Sequence, residues 1–206
     1  MKLFTKETRR ILLKITLLMV MVCTSSISYS QTYFSTIEVR YNLPKKWQIR
    51  FRPTVFTFPN EGFRTELMIG KTLNANWKIF SYSQFDFYRK KHQSGIRLDF
   101  TKTFLNNKLF SQGQIRTFIG LSKNTKFEGI FIGDLHYRLF PKIAIGARNF
   151  TLESPDEENF FKIRRSFLGP ALWFYSNPKS FFLAYYGPNL MEKQSFLFTL
   201  VWFITI

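Results

Sequence analysis

The sequence contains few of the residues that most often carry catalysis or bind metals. Its 206 residues include one cysteine, Cys23, and two histidines, His92 and His136. Cys23 lies in an N-terminal segment that we expect to be removed, so disulfides and thiolate metal sites are excluded from the mature chain. Phosphate-binding loops, dinucleotide fingerprints and nucleophile elbows are also missing. We therefore expect no enzyme, no cofactor and no metal site.

Long hydrophobic runs are also scarce. Residues 11–22 form the only such run, although hydrophobic residues make up 45% of the chain and 26 residues are Phe. A helical membrane protein would need several runs of about 20 apolar residues, so this class is excluded. Alternating strands spread the same apolar content thinly along the chain.

The N-terminal run fits a secretory signal peptide. Five basic residues precede or interrupt it, and small and polar residues follow it up to Ser30. We expect cleavage after Ser30, which leaves residues 31–206 as one domain. An N-terminal anchor helix is the rival interpretation, but about 12 apolar residues are too few for one. Acylation of Cys23 is a weaker alternative, because the preceding Val22 is not a small residue.

Acidic residues are few, 13 against 30 basic ones, which gives a net charge of +17. Without the signal peptide, 25 basic and 12 acidic residues remain, a net charge of +13. Such a surplus on an exported protein favours an anionic surface. We expect outer-membrane lipids and lipopolysaccharide as partners, and no nucleic acid.

Short turns rich in Asn, Pro and Lys recur about every 30–37 residues, and each is followed by the start of an aromatic or apolar strand. They lie at 42–47, 73–78, 105–109, 139–143 and 176–180. More polar connections alternate with them, at 59–62, 89–95, 122–126, 153–159 and 187–193. This pattern predicts β-hairpins with short periplasmic turns and longer extracellular loops.

The segment 196–206 alternates so that Leu200 and Trp202 share one face with other apolar residues, while Thr199 lies on the opposite face. A soluble protein rarely exposes such an apolar edge, whereas the closing strand of an outer-membrane barrel turns it to lipid. We expect Thr199 to face a polar interior. Trp47 and Trp77 follow short turns and are expected at the periplasmic interface. A soluble sandwich with a tryptophan core is the alternative.

Counting alternating segments gives eleven strands. Single-chain bacterial barrels have even numbers, so we expect ten or twelve. The barrel would have ten strands if residues 32–41 lay outside it. Twelve would result if the segment 160–175, which contains Gly169 and Pro170, were two strands or a kinked one.

With its turn Leu43-Pro44-Lys45-Lys46-Trp47 directly after the first strand, the chain resembles small outer-membrane β-barrel families of Gram-negative bacteria, several of them uncharacterised. The resemblance covers residues 32–206 and rests on pattern. It implies an all-β, antiparallel up-and-down transmembrane barrel of about 10–12 strands, inserted by the barrel-assembly machinery into the outer membrane.

The inner face of such a barrel would be charged, with basic groups in excess. The lumen-lining candidates are Arg50, Arg52, Arg64, Glu66, Lys78, Asp86, Arg97, Asp99, Arg116, Glu128, Asp134, His136, Arg138, Arg148 and Arg164. We expect a narrow or side-chain-filled lumen with a structural or surface-binding role.

Three further hypotheses concern function. If water fills the lumen, the surplus of arginine predicts a small porin-like channel that prefers anionic solutes. A lipid-modifying enzyme is the second alternative, with His136 as general base beside a serine. On the predicted loop, Arg89, Lys90, Lys91 and His92 are candidates for binding sugar phosphates.

Overall fold

The structure, a computed structural model, describes residues 31–57, 62–88, 90–120, 128–153, 162–177, 179–192 and 195–206. The expected signal peptide and the predicted connection at 122–126 lie outside these residues. Within the described ranges, no helix is long and apolar enough to cross a membrane.

The chain forms a closed barrel of eleven strands in which sequence neighbours pair antiparallel. The strands are β1 (Gln31–Asn42), β2 (Trp47–Thr57), β3 (Gly62–Thr72), β4 (Trp77–Asp86), β5 (Lys91–Phe104), β6 (Leu109–Gly120), β7 (Glu128–Phe140), β8 (Ile143–Glu153), β9 (Ile163–Asn177), β10 (Ser180–Pro188) and β11 (Phe196–Thr205). The prediction of an all-β up-and-down barrel is confirmed.

On β2 and β3, the strand alternation places charged residues inside the barrel and large apolar residues outside. On β2, Arg50 and Arg52 are buried, whereas Phe51 between them is 46% exposed. The same two-residue period continues on β3, where Glu66 and Met68 are buried and Leu67 is exposed. Because successive side chains on a strand point to opposite faces, the pattern read from the sequence fixes the two surfaces of the sheet.

The barrel closes through a parallel pair, β1 with β11, in register from Gln31 opposite Phe196 to Arg40 opposite Thr205. In an up-and-down meander with an odd number of strands, the first and last strands run in the same direction. Closure of eleven strands therefore requires one parallel pair. The expectation of an even count, ten or twelve, is wrong because it assumed antiparallel closure.

Both explanations offered for an even count are also wrong. Residues 32–41 belong to β1, which pairs with β2 on one side and β11 on the other. The segment containing Gly169 and Pro170 lies within a single strand, β9. Proline has no backbone N–H to donate. The β9–β10 ladder accordingly runs only to Ala171 opposite Tyr185 and returns as an isolated bridge between Phe167 and Asn189.

The two ends of the barrel differ in their connections. One end, which we call the short-turn end, carries the links 43–46, 73–76, 105–108, 141–142 and 178–179; the other we call the loop end. Trp47 and Trp77 begin β2 and β4 at the short-turn end. Asn106 and Asn107 have positive φ values of 52° and 63°, a conformation that asparagine tolerates better than most residues.

Candidate lumen site

The inward positions of β1 to β6 carry a connected set of charged side chains, which we call the basic wall. It consists of Glu38, Arg40, Arg50, Arg52, Glu66, Lys78, Arg97, Asp99 and Arg116. Each occupies an alternate position on its strand, so strand geometry alone brings them to one surface.

Glu38 is the centre of the basic wall and has no exposed surface. Its carboxylate accepts a hydrogen bond from Arg40 Nε at 2.7 Å and lies 3.4 Å from Nη1 of both Arg50 and Arg52. Arg97 Nη1 approaches it from across the lumen at 3.5 Å. One carboxylate therefore holds four guanidinium groups from three strands together.

Two further carboxylates extend this network. Glu66 pairs with Arg52 and with Arg116, whose Nη1 lies 3.0 Å away. Asp99 accepts hydrogen bonds from Arg50 at 2.7 Å and from Arg97 at 2.5 Å. Among the described residues, five arginines thus share three carboxylates, which leaves this network with surplus positive charge.

Inward positions on the strands towards the C-terminus carry apolar side chains, which we call the apolar wall. Its buried members are Ala144, Phe167, Ala171, Trp173, Leu183, Tyr185, Leu197 and Val201, with Phe34, Phe150, Tyr175, Phe181 and Phe203 packed against them. Thr199 faces the interior, as expected, and lines the same lumen cavity as Arg40 and Lys78, although its inward neighbours Leu197 and Val201 belong to the apolar cluster.

Between the two walls lies a cavity of about 360 Å³. Arg40, Arg116 and Lys78 line one side of it, and Leu197 and Val201 line the other. The exposed turn residues at positions 75 and 76 also line it, so the cavity reaches the short-turn end. Its volume falls within the range of about 300–1,000 Å³ of small-molecule pockets.

The structure places most of the predicted lumen residues on the inner face. Besides those of the basic wall, Arg64 lies 3.3 Å from Asp86, and Arg148 lies 3.5 Å from Asp134. Gln93, which is buried, contacts Glu128 at 3.5 Å. None of these pairs includes Glu38.

Arg164 is the exception among the predicted lumen residues, because it is exposed. The β8–β9 register shifts there: Leu152 pairs with Arg165, and Glu153 pairs with Ile163. Arg164 is the extra residue of this bulge, and a bulge interrupts the inward–outward alternation.

His136 lies in an aromatic box at the lumen surface. Its ring stacks on Trp173 at 4.2 Å and on Phe110 at 5.1 Å, and Nε2 lies 3.2 Å from the Tyr175 hydroxyl. The guanidinium of Arg138 covers the Phe110 and Tyr175 rings, at 4.7 Å from each centroid. In the part of the chain that the structure describes, no serine hydroxyl hydrogen bonds to His136.

The predicted surface set does not form one loop. Arg89 lies outside the described residues, and Lys90 is an exposed residue of a tight connection. Lys91 and His92 belong to β5, so the predicted loop at 89–95 is wrong in extent. His92 is half-buried, and its Nε2 lies 2.6 Å from Ser83 Oγ on the neighbouring strand. Ser83 and His92 both lie on the outer face.

Sequence analysis did not identify Glu38 and Arg40, the centre of the site. Their signal was present, because Thr36, Glu38 and Arg40 alternate with Ile37 and Val39.

Within the ranges that the structure describes, no group of three or more His, Cys, Asp or Glu residues could hold a metal ion. No protein-family model, no curated protein and no solved structure matches the chain.

Proposed function

We propose that the protein is an integral outer-membrane β-barrel whose lumen is largely filled by its own side chains and serves a structural or binding role. The observation that carries this proposal is the separation of apolar side chains on the outer face of the barrel from ion pairs on its inner face. The sheet closes on itself without an open edge strand, and it turns large apolar side chains outward while it buries its ion pairs inside. This is the arrangement that a lipid bilayer demands.

Aromatic residues at both ends of the outer face support a membrane setting. At the short-turn end, Tyr41 and Trp47 are 51% and 42% exposed. At the loop end, Phe63 and Phe87 pack with ring centroids 5.3 Å apart, and both are exposed. Transmembrane barrels carry such aromatic girdles at both membrane interfaces. By the same rule, the short turns would face the periplasm.

The proposed partners follow from this location. Outer-membrane lipids would cover the apolar outer face, and the barrel-assembly machinery would insert the chain. Lys90 and Lys91 at the loop end are exposed and would meet the phosphates of lipopolysaccharide. The proposed role is not enzymatic: His136 is held in an aromatic box, and Nε2 lies 3.2 Å from the Tyr175 hydroxyl rather than near a serine.

Fractionation of cells that express the full chain tests this proposal. We expect the protein in the outer-membrane fraction, with a gel mobility that changes on boiling, because a closed barrel resists unfolding by detergent at room temperature. Recovery as a soluble periplasmic protein would overturn the proposal.

A small channel that prefers anions is the second candidate. The surplus of arginine along the basic wall favours it, since rings of Arg and Lys select anions. The cavity reaches the short-turn end, but the ion network and the apolar wall leave little room for a wide pore. We expect protein reconstituted in planar bilayers to give small, anion-preferring conductance steps at most. Large cation-selective steps would contradict both candidates.

A further inference from the structure

The lumen cavity combines two surfaces that suit the two parts of one kind of ligand. Its basic side is formed by the network around Glu38, and its apolar side is formed by residues of β10 and β11. We propose that the cavity binds an amphiphilic anion, with one acidic head group and an apolar tail of medium length. This inference deepens the proposed function, because it takes the barrel lumen as a binding surface.

Charge balance favours an anionic head group. Lys78 lines the cavity and, within the described ranges, forms no ion pair. It therefore adds to the surplus left by five arginines around three carboxylates. A half-buried cation without a partner is unfavourable, so an anion that enters the cavity would restore the balance.

Arg40 marks the place where the head group would bind. It is the most exposed arginine of the network, with 21% of its side chain accessible. Its guanidinium lies 4.6 Å from the centroid of the Phe203 ring and 5.9 Å from that of Phe181. Arg40 thus stands at the boundary between the two walls. A carboxylate bound there would leave its tail against β11.

The apolar side distinguishes an amphiphile from a simple anion. Inorganic phosphate would use the arginines alone and would gain nothing from Leu197, Val201 and Phe203. An uncharged lipid would leave the surplus charge unpaired. Only a molecule with both parts contacts both walls. Tyr185, whose buried hydroxyl has no hydrogen-bond partner in the described structure, is also among the residues that line the cavity.

Calorimetric titration of the purified full chain in lipid nanodiscs tests the inference, with decanoate as the probe. We expect saturable binding with one site per barrel, at least about tenfold tighter than for decanol or acetate. Inorganic phosphate is the fourth probe. If decanoate fails to bind, or if decanol or phosphate binds equally well, the inference is wrong.

Variants locate the site. Lys78→Gln removes a charge without breaking an ion pair, and Val201→Thr adds a hydroxyl to the apolar wall with little change of shape. We expect each to weaken decanoate binding several-fold, and Arg40→Gln to weaken it about tenfold or more. Arg164→Gln, on the outside of the barrel, is the matched control. Unchanged affinity in folded Lys78→Gln and Val201→Thr would overturn the assignment.

Two sources of the anion are distinguishable. A fatty acid released by organic extraction of the purified protein would indicate supply from the membrane. If extraction releases no fatty acid and the protein binds added decanoate, the anion is supplied from solution. Fractionation and gel mobility test the membrane location independently of ligand binding. If the protein were soluble but still bound decanoate, the proposed outer-membrane location would be wrong and the proposed lumen site would be retained.

Discussion

The basic wall and the apolar wall occupy equivalent inward positions of the same barrel, yet they fill the lumen in different ways. On the basic wall, each buried charge depends on a partner from another strand, as Arg97 of β5 reaches Glu38 of β1. On the apolar wall, Trp173 and Leu183 fill space without directional bonds and have no exposed surface.

This difference indicates how the stability of each wall responds to substitution. Loss of one partner in an ion network leaves an uncompensated buried charge, whereas loss of an apolar side chain leaves a cavity. The basic wall should therefore be sensitive to charge at nearly constant volume, and the apolar wall should be sensitive to volume. The predictions below test this contrast.

The largest effect is expected for Glu38→Gln, which keeps the side-chain volume and removes the charge shared by four arginines. We expect a loss of about 3–5 kcal/mol in the free energy of unfolding, because the guanidinium groups would then repel one another. Urea titration followed by gel mobility without boiling measures it. The exposed Glu192, changed to Gln, is the control. Equal stability of the two variants would contradict the central role of Glu38.

On the apolar wall, Trp173→Ala should have an effect of similar size for a different reason. Truncation of a fully buried tryptophan costs about 3–5 kcal/mol through lost contacts and a residual cavity. The same titration applies, with Trp202→Ala as the control, because Trp202 is 48% exposed on the outer face. If the Trp202 variant were the less stable of the two, the apolar wall would not be the main packed core of the lumen.

The sequence predicts the two faces well where they differ in polarity. On β2, β3 and β5, charged residues alternate with aliphatic ones, so Arg50, Glu66 and Arg97 were assigned inward and are buried. On β9 to β11 both faces are apolar. Hydropathy alone then cannot separate a side chain that packs in the lumen from one on the outer face, and the role of Trp173 could not be predicted.

Other errors arise from relations between distant strands. The parallel closure of β1 on β11 is a property of the whole meander, and no local pattern in β1 encodes it. The exposure of Arg164 depends on a bulge against β8, which shifts the register by one residue. The cavity exists because two different strand groups meet across the lumen, which requires the closed barrel.

A smaller effect is expected when charge is added on the two faces of β11. Leu200→Arg would place a cation towards lipid at the cost of about 2–4 kcal/mol near the membrane centre. Thr199→Arg would place it at the cavity, where it adds to existing positive charge but can reach water at the short-turn end. We expect Leu200→Arg to reduce the yield of the heat-modifiable form more. The reverse order would mean that the faces of β11 are exchanged.

The smallest effect concerns a single hydroxyl group within the apolar wall. Tyr185 lies in the apolar wall, and its buried hydroxyl has no hydrogen-bond partner among the described residues. Tyr185→Phe should therefore leave stability unchanged or raise it by up to about 1 kcal/mol, since an unsatisfied polar atom is removed. Tyr175→Phe is the matched control, because its hydroxyl lies 3.2 Å from His136 Nε2 and its loss should cost about 1 kcal/mol. Urea midpoints of the two variants, measured side by side, should be lowered for Tyr175→Phe and unchanged or raised for Tyr185→Phe. A marked loss of stability in Tyr185→Phe would mean that the apolar wall, like the basic wall, depends on polar contacts.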